Sequence, residues 1–227
     1  MYIPDIIPEE DRKIIEKKYR NNAPKEEVLG DSPALLVVDM TYGFVDDRFP
    51  TGFSQTGEPC LKNIRKLIDA AKEKGMPVIY TRDMSDPEEV YRIHRGAWNF
   101  KSNPISEELR QEYNTIHASI APEKADIVIQ KSKPSAFFGT PLAAMLNYMK
   151  VDSVILTGMV TSGCIRATAL DAFSYNYRVI MPIECVADRS QISHEVTLFD
   201  LDTKYANVMS LEKTLSLMEK HKKIKEI

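Results

Sequence analysis

The chain has 227 residues, 43% of them apolar, with 30 Lys and Arg against 33 Asp and Glu for a net charge of −3. That length suits one large α/β domain with a buried core, and the slightly acidic balance leaves no electrostatic footprint for a phosphate backbone, which excludes nucleic acid as a partner. Cys60, Cys164 and Cys185 are an odd number with no CxxC pair or Cys/His cluster, which argues against a disulfide framework and a zinc site; with no leader pattern and no membrane-length apolar run, the chain reads as cytoplasmic and untargeted.

Residues 1–30 are set apart by composition. Pro8-Glu9-Glu10-Asp11 is a good helix start, the charged helix runs to about Tyr19, and a polar linker follows. These residues are expected to form an arm, with residues 31–227 as a single domain. Ile6, Ile7, Ile14, Ile15 and Tyr19 would lack cover on such an arm, which favours a clasp on a neighbouring subunit over a solvated appendage.

Residues 34–38 are all apolar and end at Asp39, the pattern of a central parallel strand with an acid at its carboxyl end. A Gly/Asp/Pro-rich loop over 41–56 leads into a helical stripe, Leu61, Ile64, Leu67, Ile68 and Ala71, starting near Glu58 and closed by Gly75. A strand over 77–81 completes a βαβ unit. Residues 82–124 are the least regular part, a polar excursion of the kind that serves as a lid or specificity loop, with a short helix over 106–113. Then come strands over 125–130 (with Lys131 at its end), 151–157, 178–181 and 206–209, alternating with helices over 140–150, from Cys164 through Phe173, over 193–204 and from 211 to about 221. This alternation predicts a doubly wound, mostly parallel six-stranded sheet with helices on both faces.

Asp39, Lys131 and Cys164 thus each stand at or just past the carboxyl end of a strand, and such ends converge on one crevice. A cysteine nucleophile needs a proton acceptor and charge stabilisation, which a carboxylate and an ammonium supply. Cys164 also falls in the first turn of a helix, where free N–H groups and the dipole favour a thiolate. Singly, each residue has a plainer explanation: a helix-capping acid, a solvated lysine, a small buried cysteine.

Val37-Val38-Asp39-Met40 with Gly43-Phe44, Lys131 followed by Pro134-Ser135-Ala136-Phe137-Phe138-Gly139-Thr140, and Gly158 through Cys164-Ile165-Arg166-Ala167-Thr168 together resemble the isochorismatase-like cysteine hydrolases. Thr161-Ser162-Gly163-Cys164 and Glu184-Cys185-Val186-Ala187-Asp188-Arg189 are most similar to the N-carbamoylsarcosine amidase branch. The resemblance spans about residues 33–210. It implies a catalytic triad of Asp39, Lys131 and Cys164; Lys133 competes for the lysine role, but Lys131 continues the strand and has the family's spacing to the Ser-Ala-Phe motif. It also implies a cis peptide between Met159 and Val160, an oxyanion hole from the backbone N–H groups of Val160 and Cys164, and an activity that hydrolyses a small carboxylated amide or N-carbamoyl compound with release of ammonia. A homo-oligomer, dimer or tetramer, is implied as well.

Arg189 matches the arginine that receives a substrate carboxylate in that branch, with a salt bridge to Asp188 or Glu184 as the alternative. Thr161 and Ser162 are candidates for substrate hydrogen bonds or for a helix cap, and Phe44, Trp98 and Phe137 for pocket walls or plain packing. The nicotinamidases of the superfamily hold a metal through an Asp-x-His pair, whereas Asp83 is followed here by Met84 and Ser85. No metal and no cofactor are therefore expected, and His94, His117, His194 and His221 read as surface or packing residues. Thr41 and Tyr42 depart from the Gln-Asn often found after the strand-end acid, which leaves the substrate open between N-carbamoyl compounds and amides such as maleamate, a ureide or nicotinamide. The different-class alternative is a non-catalytic scaffold with a decayed site.

Overall fold

A computed structural model describes residues 2–19, 29–83 and 107–224 of the chain. After helix α1 (Glu9–Tyr19), the elements in order are β1 (Pro33–Val38), α2 (Tyr42–Val45), α3 (Ser54–Lys74), β2 (Val78–Asp83), α4 (Glu107–Tyr113), β3 (Ile127–Lys131), α5 (Leu142–Tyr148), β4 (Ser153–Met159), α6 (Arg166–Ser174), β5 (Arg178–Pro182), β6 (Val186–Ala187), α7 (Gln191–Lys204), β7 (Asn207–Met209) and α8 (Leu211–Lys220). The strands β3-β2-β1-β4-β5-β7 lie side by side in that order, every pairing parallel, and β6 pairs with the end of β4. The six expected strands form the continuous sheet; two-residue β6 is too short to leave a pattern in the sequence.

β1 and β4 are buried along their whole length, as sheet centres covered on both faces must be. Alternate residues of β1 feed two cores. Leu35 and Val37 pack with Ile64, Leu67 and Ile68 of α3 and Met218 of α8, whereas Ala34, Leu36 and Val38 pack with Leu142 and Leu146 of α5, Ala169 of α6 and Leu198 of α7. The chain winds outward from β1 to β3 and then returns to the other side of β1 as β4, so the order reverses between β1 and β4. A crevice opens at such a reversal, beyond the carboxyl ends of the strands. The two strands run unusually close there: Gly158 has φ of 120°, and a Cβ on it would stand 2.0 Å from the Val38 carbonyl oxygen, so only glycine fits.

Two boundaries differ from expectation. α3 starts at Ser54 rather than near Glu58, because Asp47 Oδ1 accepts a 2.8 Å bond from the Ser54 N–H and the buried Gly57 lets the first turn lie against Val45; Pro59 is therefore inside the helix, not at its start. The stretch read as an open loop over 41–56 contains the short helix α2. On the arm, the Tyr2 N–H donates to Asp202 Oδ2 at 2.7 Å, so the beginning of the chain lies on its own α7. Among the described residues no helix is long and apolar enough to cross a membrane.

Candidate active site

β1 ends at Val38, and Asp39 leaves it with φ of 55°, its N–H still bonded to the Thr81 carbonyl of β2 at 3.1 Å. Thr81 also donates its hydroxyl to Asp39 Oδ1 at 2.8 Å. The second carboxylate oxygen, Oδ2, stands 2.6 Å from Lys131 Nζ at the end of β3. Lys131 Nζ lies 3.4 Å from Cys164 Sγ and 3.1 Å from the Lys133 carbonyl oxygen, so its three donors each have a partner. Lys133 thus meets the site through its backbone oxygen. Asp39, Lys131 and Cys164 are 1%, 3% and 5% exposed, so this ion pair with its thiol neighbour is nearly dry.

After β4 the Met159–Val160 peptide is cis. Residues Thr161–Ile165 then form one turn of π-helix, with the Ile165 N–H reaching back to the Val160 carbonyl at 3.2 Å, before α6 begins. Cys164 therefore sits in this wide turn, one residue and more ahead of the regular helix.

Burial pushes the Cys164 thiol pKa up, the Asp39 charge adds to the rise, and Lys131 opposes both without cancelling them. Burial likewise opposes the charge on Lys131, but Asp39 above all holds its pKa above that of a free lysine. The direction for Cys164 is opposite to the one expected for a thiol at a helix start beside a lysine. Desolvation and the neighbouring carboxylate outweigh the charge of Lys131, which sets a thiol of raised pKa beside the Asp39–Lys131 ion pair.

The three side chains open on a cavity of about 280 Å³ whose walls include Phe44, Asp83, Tyr113, Pro134, Val160, Ser162, Gly163 and Arg189. Arg189 Nη1 donates to the Thr51 carbonyl at 3.0 Å, and no carboxylate of the described residues pairs with the guanidinium. Asp188 accepts instead from the N–H groups of Ser162 (2.7 Å) and Arg189 (2.8 Å), and Glu184 from that of Leu211 (2.7 Å). The salt bridge weighed for Arg189 is thus not formed with either acid.

Two residues read as substrate contacts lie elsewhere. Phe137 is 4% exposed and stacks on Tyr175 and Tyr177, at 5.4 and 5.9 Å between ring centroids, in the core under α5. Thr161 is fully buried, outside the cavity wall, with its Oγ1 2.8 Å from His194 Nδ1; neither a helix cap nor a substrate contact describes it. Phe44 does line the cavity, leaning on Tyr113 at 6.2 Å. Trp98 and His94 lie outside the described residues.

Tyr113 is a wall that no local sequence pattern marks. Its ring fills the space that a side chain at Gly43 would need and its hydroxyl bonds Thr51 Oγ1 at 3.0 Å, contacts remote in sequence. Asp83 could have been found, since it too ends a strand, in register with Lys131. Of the histidines, His117 lies tilted against Tyr42, ring centroids 4.6 Å apart, and His221 bonds the Gly30 carbonyl at 2.9 Å, as packing and surface residues do, but His194 touches the turn that carries Cys164. Among the described residues no three His, Cys, Asp or Glu side chains converge as a metal site.

Fold and site together define a doubly wound α/β domain that gathers an acid, an ammonium and a thiol at its topological switch point. Residues 33–213 match the isochorismatase domain, and the chain belongs to the isochorismatase family. It is 35% identical over 184 residues to a maleamate amidohydrolase of Pseudomonas putida, covering 80% of this chain and 84% of that one. It is 30% identical over 199 residues to an N-carbamoylsarcosine amidase of an Arthrobacter species, covering 84% and 72% respectively. The solved N-carbamoylsarcosine amidase of Thermoplasma acidophilum superposes with a TM-score of 0.63 at 28% identity, covering 80% of this chain and 97% of that one.

Proposed function

We propose that the protein is a cysteine-dependent amidohydrolase that cleaves a small carboxylated amide or N-carbamoyl compound and releases ammonia. The observation that carries this is the position of Lys131 Nζ, in contact with both Asp39 Oδ2 and Cys164 Sγ on the wall of one cavity. The two curated relatives are named for amide and N-carbamoyl substrates that bear a carboxylate, and a guanidinium with no carboxylate partner among the described residues suits such an anion.

In the resting site the proton is on sulfur and the charge pair is Asp39–Lys131. As substrate displaces water, Asp39 takes the thiol proton and sulfur attacks the carbonyl carbon. The oxyanion is held by the backbone N–H groups of Val160 and Cys164, residues that both line the cavity. Asp39 returns the proton to the leaving nitrogen, ammonia departs, and an acyl or carbamoyl thioester remains on Cys164. Water, deprotonated by the same carboxylate, then hydrolyses the thioester and restores the thiol. Lys131 stays charged throughout and stabilises whichever neighbour carries the negative charge. These steps call on no cofactor or metal.

Ammonia release from maleamate, N-carbamoylsarcosine, a ureide and nicotinamide at equal concentration tests the assignment. Wild type should hydrolyse at least one carboxylated member and Cys164→Ala none; ammonia release that survives Cys164→Ala would overturn it. We propose in addition that the chain works as a homo-oligomer, dimer or tetramer, since Ile6 and Ile14 of the arm stay 38% and 57% exposed. Light scattering at micromolar concentration tests this, and a monomer would contradict it.

A further inference from the structure

The Cys164 turn is gripped from one side by a single strand-turn-helix unit. β6 pairs with Gly158 and Met159 at the end of β4, which sets Asp188 and the start of α7 against residues 160–164. Asp188 Oδ2 holds the Ser162 N–H at 2.7 Å and His194 Nδ1 holds Thr161 Oγ1 at 2.8 Å. Consecutive residues, two and three positions before the nucleophile, are thereby fixed by two side chains of the same unit. α7 is itself anchored, with the Ser193 N–H bonded to Ser190 Oγ at 3.3 Å and the His194 N–H to the Ser190 carbonyl at 2.9 Å.

From this geometry we infer that His194 is a positioning residue for the nucleophile, acting through Thr161, an inference that rests on the proposed cysteine chemistry. The Thr161 hydroxyl is fully buried and His194 is its partner among the described residues. A buried hydroxyl proton needs an acceptor, so Thr161 donates to Nδ1 and the ring carries its own proton on Nε2. Burial, opposed by Asp188 and Glu195, lowers the His194 pKa, in keeping with a neutral ring as acceptor. Single π-turns are rare and occur frequently at functional sites. The first residue of this one is the point at which a lateral bond fixes where the turn starts, and hence where Sγ stands relative to Lys131. A shift of about 1 Å in such a group costs on the order of a hundredfold in rate.

The test uses full-length protein and whichever panel amide the wild type hydrolyses. His194→Phe, which removes the acceptor, and Thr161→Val, which removes the donor at constant volume, should each lower kcat by about tenfold to a hundredfold with KM within about twofold. The double variant should lose no more than the larger single loss, and His194→Asn, whose side-chain oxygen takes the place of Nδ1, should recover most of the rate. Independently of turnover, amide exchange over residues 160–165 should quicken in both single variants while exchange in β1 does not change. A His194→Phe enzyme with unchanged kcat, losses that add in the double variant, or a rate not recovered by His194→Asn would overturn the inference. Ammonia release persisting in Cys164→Ala would instead overturn the nucleophile assignment on which it rests.

Discussion

Lys131 Nζ and Asp39 Oδ2 lie 2.6 Å apart with both side chains almost wholly buried. Removing one member of such a pair leaves the other charged without compensation. Lys131→Met should therefore cost about 3–5 kcal/mol of stability, and pairing it with Asp39→Asn should return much of that. Because Lys131 titrates above a free lysine, its contribution is complete below about pH 10.4 and is lost only as pH rises through the raised value. Urea denaturation of the two variants checks the first claim; a Lys131→Met protein as stable as wild type would contradict it.

The neutral resting thiol has a kinetic signature. Iodoacetamide reacts with thiolate, so labelling of Cys164 without substrate should be slow at pH 6 and climb steadily through pH 9, with no plateau near neutrality. Burial raises Cys60 and Cys185 in the same sense, so peptide mapping must separate the three. Rapid labelling of Cys164 below pH 7 would show a resting thiolate and contradict the ion-pair description.

Arg189 should discriminate by charge. Arg189→Met is expected to lower kcat/KM for a carboxylated amide by about tenfold to a hundredfold, the worth of a charged hydrogen bond of roughly 1.5–3 kcal/mol, and to spare an uncharged amide such as nicotinamide. Steady-state kinetics on the two substrates decide it, and an equal loss on both would assign Arg189 to structure, through its bond to the Thr51 carbonyl.

Phe137 offers the converse case. Its ring is in the stack with Tyr175 and Tyr177, so Phe137→Ala should destabilise by about 3–5 kcal/mol without altering the order of preference among the panel amides. A changed preference at unchanged stability would place it in the pocket after all.

How far these features could be read in the sequence follows from what each depends on. Asp39, Lys131 and Cys164 all end strands, and strand ends are marked by where an apolar run stops, so their approach to one another was legible. Phe137 adjoins the same motifs, but the face it presents is decided by Tyr175 and Tyr177 on a later segment, which no local pattern records. His194 shows the same limit, since a single histidine in a helix carries no period and its partner Thr161 is 33 residues away. The thiol is a different case. A neighbouring lysine can be read from spacing, whereas the desolvation that outweighs it requires the finished core. The α3 start at Ser54 likewise depends on Asp47 and Gly57 acting across the fold.

The central claim is that Cys164 carries the acyl group between two half-reactions. The most direct measurement is the intact mass of wild-type protein, acid-quenched within milliseconds of mixing with the amide it hydrolyses, followed by peptide mapping. An adduct equal to substrate minus ammonia, on the peptide containing Cys164 and decaying as product forms, is the predicted result. Product accumulating at full rate while Cys164 stays unmodified at every time point would contradict it.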